Sequence, residues 1–226
     1  MGKYFGTDGF RGEANVDLTV EHAYKVGRFL GWYYGQKNPG ERCRVVIGKD
    51  TRRSSYMFEY SLVSGLTASG ADVFLLHVTT TPSVSYVVRT EGFHCGIMIS
   101  ASHNPYYDNG IKVINEKGEK LEEAVITEIE RYLDGKMEEL PLAKRDMIGR
   151  TVDFAAGRNR YIGYLISIAT RSFKNRKVAL DCANGSASAI AKNVFDALGA
   201  QTFVINNEPN GLNINTDCGS THIEHL

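Results

Sequence analysis

Three short apolar runs, separated by segments with helical periodicity, constrain the fold of this 226-residue chain more than any other feature. Each run is as long as a strand buried on both faces, which is typical of parallel sheets. Strand and helix alternate three times in succession, which predicts right-handed crossovers. We therefore expect an α/β fold with three α/β/α layers and a mixed, mainly parallel sheet. The runs are Arg44–Ile47, Asp72–Leu76 and Gly96–Ile99.

The loop after the third run is the best candidate for a site. Residues 100–105 read Ser-Ala-Ser-His-Asn-Pro and directly follow the apolar residues 97–99. Ligands of open α/β sheets bind at the carboxyl ends of strands, so Ser102 and His103 suggest chemistry there. Serine and Asn-Pro also form turns for backbone reasons alone, and from this loop by itself that alternative stays open.

A further strand is predicted to return toward this loop. Residues 108–110, Asp-Asn-Gly, are a tight-turn signal, and Ile111–Ile114 has the alternation of a strand. Such a strand can run antiparallel beside its predecessor. It would then carry Lys112 back toward Ser102.

Residues 5–12, Phe-Gly-Thr-Asp-Gly-Phe-Arg-Gly, contain three glycines spaced by three. The segment precedes any predicted strand, so it is not a dinucleotide-binding fingerprint, which follows a strand and opens a helix. We interpret it as a flexible loop that presents Arg11 and backbone amides suited to anions. An irregular arm is the alternative.

Two helices are predicted around the first run. One begins at Thr19 as N-cap and reaches about Tyr34, with Gly27 and Gly31 allowing close packing against the sheet. The other follows the charged loop 49–54 and is expected to be capped by Ser54 or Ser55. A charged loop of this kind is more often solvated or internally paired, here Asp50 with Arg52, than catalytic.

Composition excludes several classes of partner. Lysine plus arginine equals aspartate plus glutamate at 26 each, so no net charge favours nucleic acid or a membrane surface. The first residues lack the apolar run of a signal peptide, and no run of about 18 apolar residues could span a bilayer. We expect a cytoplasmic protein. Its four scattered cysteines are expected to be reduced and mostly buried.

The chain is predicted to divide into domains 1–150 and 151–226. Residues 136–151 are weakly periodic and form the join. Beyond it we predict a helix from Arg158 to Ser172 and two strands, Lys177–Leu180 and Gln201–Ile205, with a helix between them. So few elements are an incomplete α/β domain, which suggests truncation.

Taken together, the loops suit phosphoryl transfer, in which catalysis is mostly positioning and charge neutralisation. They suit acyl transfer poorly because Ser102 lacks a Gly-x-Ser-x-Gly elbow. No Gly-x-x-x-x-Gly-Lys-Ser/Thr loop is present to hold a nucleotide.

Five motifs in this order resemble the α-D-phosphohexomutase superfamily, and the resemblance runs from Lys3 to Leu226. It implies that Ser102 carries a phosphoryl group, that His103 and Lys112 act in acid-base chemistry and charge stabilisation, and that Arg11 is the cation beside the phosphoserine. The motifs are the segment 5–12, Gly-Lys-Asp-Thr-Arg at 48–52, Thr-Pro at 81–82, Ile-Ser-Ala-Ser-His-Asn-Pro at 99–105 and Asn-Gly-Ile-Lys at 109–112.

The resemblance also implies ligands and partners. Thr7, Asn104 and Arg52 match substrate- or phosphate-binding positions. The implied reaction interconverts glucosamine 6-phosphate and glucosamine 1-phosphate, with glucosamine or glucose 1,6-bisphosphate as intermediate or activator. One Mg²⁺ is expected on the phosphate oxygen of Ser102, and a homodimer is possible.

The sequence lacks three family segments that concern activity: the metal-binding loop, the sugar-recognition loop with Gly-Glu, and the C-terminal phosphate-binding loop with Arg and Ser. The Asp-Gly-Asp-x-Asp loop that would complete the magnesium site is absent, so domain 151–226 ends before the metal-binding loop and these residues alone are expected to be inactive. His222 and His225 lack the spacing of a His-Glu-x-x-His zinc site. The alternatives are a phosphomannomutase or phosphoglucomutase, and a non-catalytic phosphosugar-binding module.

Overall fold

The computed structural model describes residues 2–226, which form one large and one small sheet. The large sheet has the strand order β1-β2-β6-β5-β3-β4-β7, and the small sheet consists of β8 and β9. The strands are β1 Phe5–Gly6, β2 Gly9–Glu13, β3 Arg44–Lys49, β4 Asp72–Val78, β5 Cys95–Ile99, β6 Asp108–Asn115, β7 Thr151–Asp153, β8 Lys177–Asp181 and β9 Gln201–Ile205. The helices are α1 Val20–Lys37, α2 Arg53–Ala68, α3 Thr81–Glu91, α4 Glu123–Leu133, α5 Ala155–Ser167 and α6 Ala191–Ala197.

Most strands of the large sheet point the same way. β3 is parallel to β4 and β5, and β4 is parallel to β7. β6 is antiparallel to both β5 and β2, so β2 shares the direction of β5, while β1 is antiparallel to β2. The three apolar runs are β3, β4 and β5. The predicted mainly parallel α/β sheet is confirmed, and β6 is the predicted antiparallel return.

Helices cover both faces of the large sheet. On one face α1, α2 and α4 bury Phe29, Phe58 and Ile129 in the larger core. On the other face α3 packs through Val84 into a second core, and α5 contacts both α3 and β4. The three-layer arrangement is therefore confirmed.

Helices α1 and α2 cross at unusually short distance because glycines lie at the crossing. A Cβ on Gly65 would stand 2.2 Å from the Tyr24 carbonyl oxygen, and a Cβ on Gly27 would stand 2.5 Å from the Leu62 carbonyl oxygen. Gly27 was predicted to allow packing on the sheet. It allows packing on α2 instead.

Substitution Gly65→Ala is expected to destabilise the fold by about 1–3 kcal/mol, because backbone rather than a mobile side chain would have to move. Gly35→Ala is the matched control, since a Cβ there meets nothing within 4 Å and alanine favours the helix. Urea unfolding of both variants measures the difference. Equal loss of stability in the two would contradict the close-crossing account.

The segment 5–12 is a β-hairpin, not the loop or irregular arm predicted. Phe5 pairs with Phe10 and Gly6 with Gly9, so Thr7 and Asp8 form the turn. Both phenylalanines are buried, which holds the hairpin on the core. The antiparallel pairing of β2 with β6 then places Arg11 opposite Gly110.

Three other local predictions were wrong in detail. Residues 108–110 are the start of β6 rather than a turn. α2 begins at Arg53 without a side-chain cap, and the Ser55 hydroxyl donates to Asp50 Oδ1 at 2.7 Å. The helix predicted over 158–172 is α5, which starts and ends earlier.

The region after β7 is a smaller α/β unit. β8 and β9 are parallel, α6 packs against both strands, α5 contacts α6, and residues 206–226 contain only short 3₁₀ turns. β7, at residues 151–153, belongs to the large sheet through its pairing with β4. It lies just beyond the predicted domain boundary at residue 150, and that boundary stays a prediction.

All four cysteines are free and buried, as expected. Burial raises the pKa of Cys43 to about 12, which makes that thiol unreactive. No helix within residues 2–226 has both the length and the apolar character needed to cross a membrane.

The predicted N-cap at Thr19 is confirmed, and its partner is a histidine. The His22 backbone N–H donates to Thr19 Oγ1 at 3.3 Å, and His22 Nδ1 accepts from the Thr19 N–H at 3.3 Å. The ring lies against Tyr4 and Phe10, with Glu21, Lys25 and Lys3 as the nearby charges. Burial lowers the pKa of His22. Nδ1 can accept only in a ring that is unprotonated at that nitrogen, so the cap needs neutral His22.

Stability is expected to fall as pH drops below about 6.5, because the unfolded chain takes up a proton that folded His22 resists. The decline should continue until the pH passes the lowered pKa of the folded state. His22→Gln should reduce this loss of stability at low pH, since Gln completes the capping box without titrating. Urea midpoints at pH 7 and pH 5 test this, with exposed His225→Gln as control. A decline unchanged by His22→Gln would contradict the assignment.

Candidate functional site

The Ser102 loop lines a cleft of about 380 Å³ between the large sheet and the smaller unit. Four segments contribute: the loop after β3, the end of β5 with the loop that follows it, the start of α3, and turns of the smaller unit. The lining residues used below are Asp50, Met98, Ser100, Ser102, His103, Asp181, Asn215 and Gly219.

Ser102 has the backbone conformation of a tight loop. Its φ is +59°, in the left-handed region that non-glycine residues rarely adopt. The backbone N–H donates to Ser100 Oγ at 3.0 Å, and Ser100 N–H donates to the Gly110 carbonyl at 2.9 Å. Ser100 therefore acts as a hydrogen-bonding residue within the loop. The Ser102 residue is exposed, and no partner for its hydroxyl lies within residues 2–226.

Arg52 lies beneath the loop rather than in the cleft. Its side chain is fully buried, pairs with Asp50, and donates through Nη2 to the carbonyls of Ser102 at 3.3 Å and Asn104 at 2.7 Å. A direct phosphate contact, as the resemblance implied, does not fit this placement. The internal pairing with Asp50, considered from the sequence, is what the structure contains.

Arg11 and Lys112 lie on the face of the sheet that also carries Met98. Lys112 is directly opposite Met98 in the β5–β6 ladder, and Met98 lines the cleft. Arg11 is opposite Gly110, two residues before Lys112, and opposed residues of an antiparallel pair share a face. The return of Lys112 toward the serine loop therefore has a structural basis in the register.

The surroundings of Lys112 disfavour the protonated, charged form of its side chain. Burial lowers the pKa of Lys112, and the nearby Arg11 lowers it further, while Asp8 and Asp50 act in the opposite direction. Arg11 pairs with Asp8 at 3.1 Å. A lysine with a lowered pKa can give up a proton near neutral pH more readily than an ordinary one.

Of the three remaining predicted site residues, His103 lines the cleft, Asn104 bonds within the loop, and Thr7 lies in the β1–β2 turn. His103 is exposed in the cleft beside Ser102. The side chain of Asn104 donates to Asp108 Oδ2 at 2.9 Å, which shapes the loop. Thr7 lies exposed in the β1–β2 turn and is not among the cleft-lining residues.

Sequence reasoning missed two residues of the smaller unit. Asn215 Nδ2 donates to the carbonyls of Ser102 at 2.8 Å and Asn104 at 2.9 Å. Asp181 accepts from Ala183 N–H and Gly219 N–H, each at 2.8 Å. Burial alone would raise the pKa of Asp181, but these hydrogen bonds lower it below its usual range. The only sequence signal was position, because Asp181 follows the predicted strand 177–180 and Asn215 lies beyond the last predicted strand.

The side chains present do not form the expected magnesium site. Residues 2–226 contain no group of three or more His, Cys, Asp or Glu able to hold a metal ion. The carboxylates near the loop are already engaged, Asp50 by Arg52, Asp108 by Asn104, and Asp181 by backbone amides. A hard divalent cation needs several free oxygen ligands.

Arg52→Ala is expected to destabilise the protein by about 3–5 kcal/mol, because it leaves Asp50 buried without its cation. Arg53→Ala removes an exposed arginine next to it and should change stability by less than about 0.5 kcal/mol. Urea unfolding at pH 7 compares the two variants. Similar midpoints would rule out a supporting role for Arg52.

The architecture and the serine loop place the domain in the class of phosphohexomutase folds. A phosphoglucomutase/phosphomannomutase family protein from Burkholderia thailandensis superposes with a TM-score of 0.75 at 22% identity, covering 92% of this chain and 44% of that one. An Aspergillus fumigatus N-acetylphosphoglucosamine mutase, in complex with GlcNAc-6P and magnesium, superposes with a TM-score of 0.55 at 16% identity, covering 98% of this chain and 44% of that one.

Residues 2–139 match the family described as phosphoglucomutase/phosphomannomutase, alpha/beta/alpha domain I. Since this is more than half of the chain, the protein belongs to the phosphoglucomutase/phosphomannomutase family.

Curated relatives are similar along the whole chain. Phosphoglucosamine mutase from Lachnospira eligens is 72% identical and that from Lachnoclostridium phytofermentans is 73% identical, each over all 226 residues. In both cases the chain spans 50% of the relative's length.

Proposed function

We propose that these residues are the N-terminal part of a phosphoglucosamine mutase that interconverts glucosamine 6-phosphate and glucosamine 1-phosphate. The observation that carries the proposal is the exposed hydroxyl of Ser102, which has no hydrogen-bond partner among residues 2–226 and is held on a left-handed loop in a cleft. The identity of 72% and 73% with two phosphoglucosamine mutases supports glucosamine phosphate as substrate.

The proposed chemistry begins with phosphorylated Ser102. A hydroxyl of the sugar phosphate attacks phosphorus, so a sugar O–P bond forms while the Ser102 Oγ–P bond breaks. His103 takes the proton of the attacking hydroxyl, and Lys112 returns a proton to the departing serine oxygen. The sugar 1,6-bisphosphate then reorients and transfers its other phosphoryl group back to Ser102.

The cations supply charge stabilisation in this proposal. Arg11 and Lys112 share the face of the sheet that carries Met98, which lines the cleft, and this register supports a role for both cations near the phosphoryl group on Ser102. The lowered pKa of Lys112 suits a proton donor. Thr7 and Asn104 would contact phosphate or sugar, whereas Arg52 acts from beneath the loop as a positioning residue.

The proposal also includes a metal ion, an activator, a cellular location and an oligomeric state. This chain would offer Mg²⁺ only a phosphate oxygen on Ser102, and the carboxylate ligands would come from outside residues 2–226. Glucosamine or glucose 1,6-bisphosphate is the proposed activator, and a cytoplasmic homodimer is the proposed state. The 226 residues alone are expected to turn over no sugar phosphate.

Phosphorylation of Ser102 is the direct test. The full-length protein containing these residues, incubated with glucose 1,6-bisphosphate and Mg²⁺, should gain one phosphoryl group on the Ser102 peptide in mass spectra. Ser102→Ala should abolish the gain and lower kcat by at least about 10³-fold. Ser220→Ala, which removes another hydroxyl of the cleft, should retain both the phosphorylation of the Ser102 peptide and the wild-type kcat. Bisphosphate binding without phosphorylation would instead favour a non-catalytic binding module.

Sugar preference is tested by kinetics of the same full-length protein. We expect kcat/KM for glucosamine 6-phosphate to exceed that for glucose 6-phosphate and mannose 6-phosphate. A preference for either hexose would reassign the protein as a phosphoglucomutase or phosphomannomutase, the two alternatives within the family.

A further inference from the structure

We propose that Asn215 is a positioning residue that clamps the Ser102 loop from the smaller unit, at the same two carbonyls that Arg52 binds. The proposal rests on the function proposed above for Ser102. It makes the conformation of the phosphoryl-carrying loop dependent on docking of the smaller unit against the large sheet.

Two donors from different units converge on the same two carbonyls. Arg52 Nη2 donates to the carbonyls of Ser102 and Asn104 at 3.3 and 2.7 Å, and Asn215 Nδ2 donates to the same pair at 2.8 and 2.9 Å. A carbonyl oxygen accepts two hydrogen bonds, and an amide nitrogen has two hydrogens to give. Both carbonyls are therefore saturated only when both donors are present.

The clamp fixes an otherwise unfavourable backbone conformation. A left-handed serine is uncommon and needs its surroundings to hold it. With the carbonyls of residues 102 and 104 held against Arg52 and Asn215, the side chains of Ser102 and His103 remain exposed in the cleft. The clamp thus orients the two groups that the proposed reaction uses.

Asn215 is itself held in place within the smaller unit. Its backbone N–H donates to the Ala183 carbonyl at 3.0 Å. Asp181 fixes the turn on either side by accepting from Ala183 N–H and Gly219 N–H. The amide of Asn215 is therefore presented from a supported turn rather than from a free tail.

Further contacts dock the two units near the clamp. Thr51 Oγ1 donates to the Asn184 carbonyl at 2.6 Å, and Arg53 N–H donates to the Gly211 carbonyl at 3.1 Å. Both come from the segment that also contains Arg52. The loop, the start of α2 and the smaller unit consequently form one connected network.

Hydrogen exchange in the full-length protein tests the clamp without relying on catalysis. Asn215→Gly permits the same left-handed backbone and removes both donors. Asn215→Asp keeps the shape and places a carboxylate against two carbonyl oxygens. Each should raise exchange of the peptide 100–106 by about tenfold, since two hydrogen bonds are lost. Asn193→Ala, an exposed helical asparagine, is the matched control and should leave exchange unchanged.

A pH profile separates the clamp from general destabilisation. In Asn215→Asp, protonation of the carboxyl restores one donor. Protection of residues 100–106, corrected for the intrinsic pH dependence of exchange, should therefore partly recover as the pH falls from 7 to about 4, where an aspartate begins to be protonated, whereas Asn215→Gly should show no recovery. Unchanged protection in Asn215→Gly would overturn the proposal, and that variant decides alone if Asn215→Asp does not fold.

Phosphorylation of Ser102 distinguishes this inference from the proposed function. If Asn215→Gly shows faster exchange of residues 100–106 together with slower phosphorylation of Ser102, the result supports both the clamp and the proposed mutase function. Loosening of the loop in a protein whose wild type never phosphorylates Ser102 would retain the clamp and reject the mutase. Normal phosphorylation rates in a variant with a loosened loop would overturn the positioning role.

Discussion

The antiparallel pairing of β6 with β5 and β2 is the constraint on which the site depends. The N–H of Ser100 donates to the Gly110 carbonyl just beyond the end of β5, and the chain departs from the sheet there. The same register puts Lys112 opposite Met98 and Arg11 opposite Gly110. A one-residue slip would turn both cations to the face that packs against α1, α2 and α4, because side chains alternate along a strand.

Two buried ion pairs at the end of β3 form the base of the site. Lys49 pairs with Glu59 of α2, and Asp50 pairs with Arg52. Desolvation of such charges is costly, so these pairs contribute little net stability compared with apolar residues of similar volume. What they supply is geometry. Arg52 has its charge neutralised by Asp50 and can still direct Nη2 at two loop carbonyls.

The parts of the fold that follow local rules were predictable from the sequence. The runs that became β3, β4 and β5 are continuous and apolar, and Thr19 is followed by a helical pattern with a cap. The β1–β2 hairpin was missed because its glycines interrupt the alternation of apolar and polar residues that is typical of a strand. Phe5 pairs with Phe10, and Phe10 pairs with Ile111 of β6, a neighbour that the local sequence does not reveal. The placement of Arg52 could not be predicted, since its burial depends on Asp50 and on a loop 50 residues away.

In the candidate site, too, residues within short motifs could be predicted from the sequence, whereas residues placed by distant contacts could not. Ser102, His103 and Lys112 could be proposed as site residues from sequence because they lie in short motifs, whereas Asn215 approaches Ser102 across 113 residues of sequence. No local pattern specifies such a contact, because it depends on how two units dock.

The left-handed backbone of Ser102 also bears on which amino acid can occupy the position. Threonine carries the same hydroxyl and could in principle be phosphorylated, yet a β-branched side chain at a φ of +59° is strongly disfavoured. An evolving lineage therefore could not exchange serine for threonine here without rebuilding the loop. If Ser102 carries the phosphoryl group as proposed, backbone geometry sets the choice of carrier before the chemistry of the hydroxyl is considered.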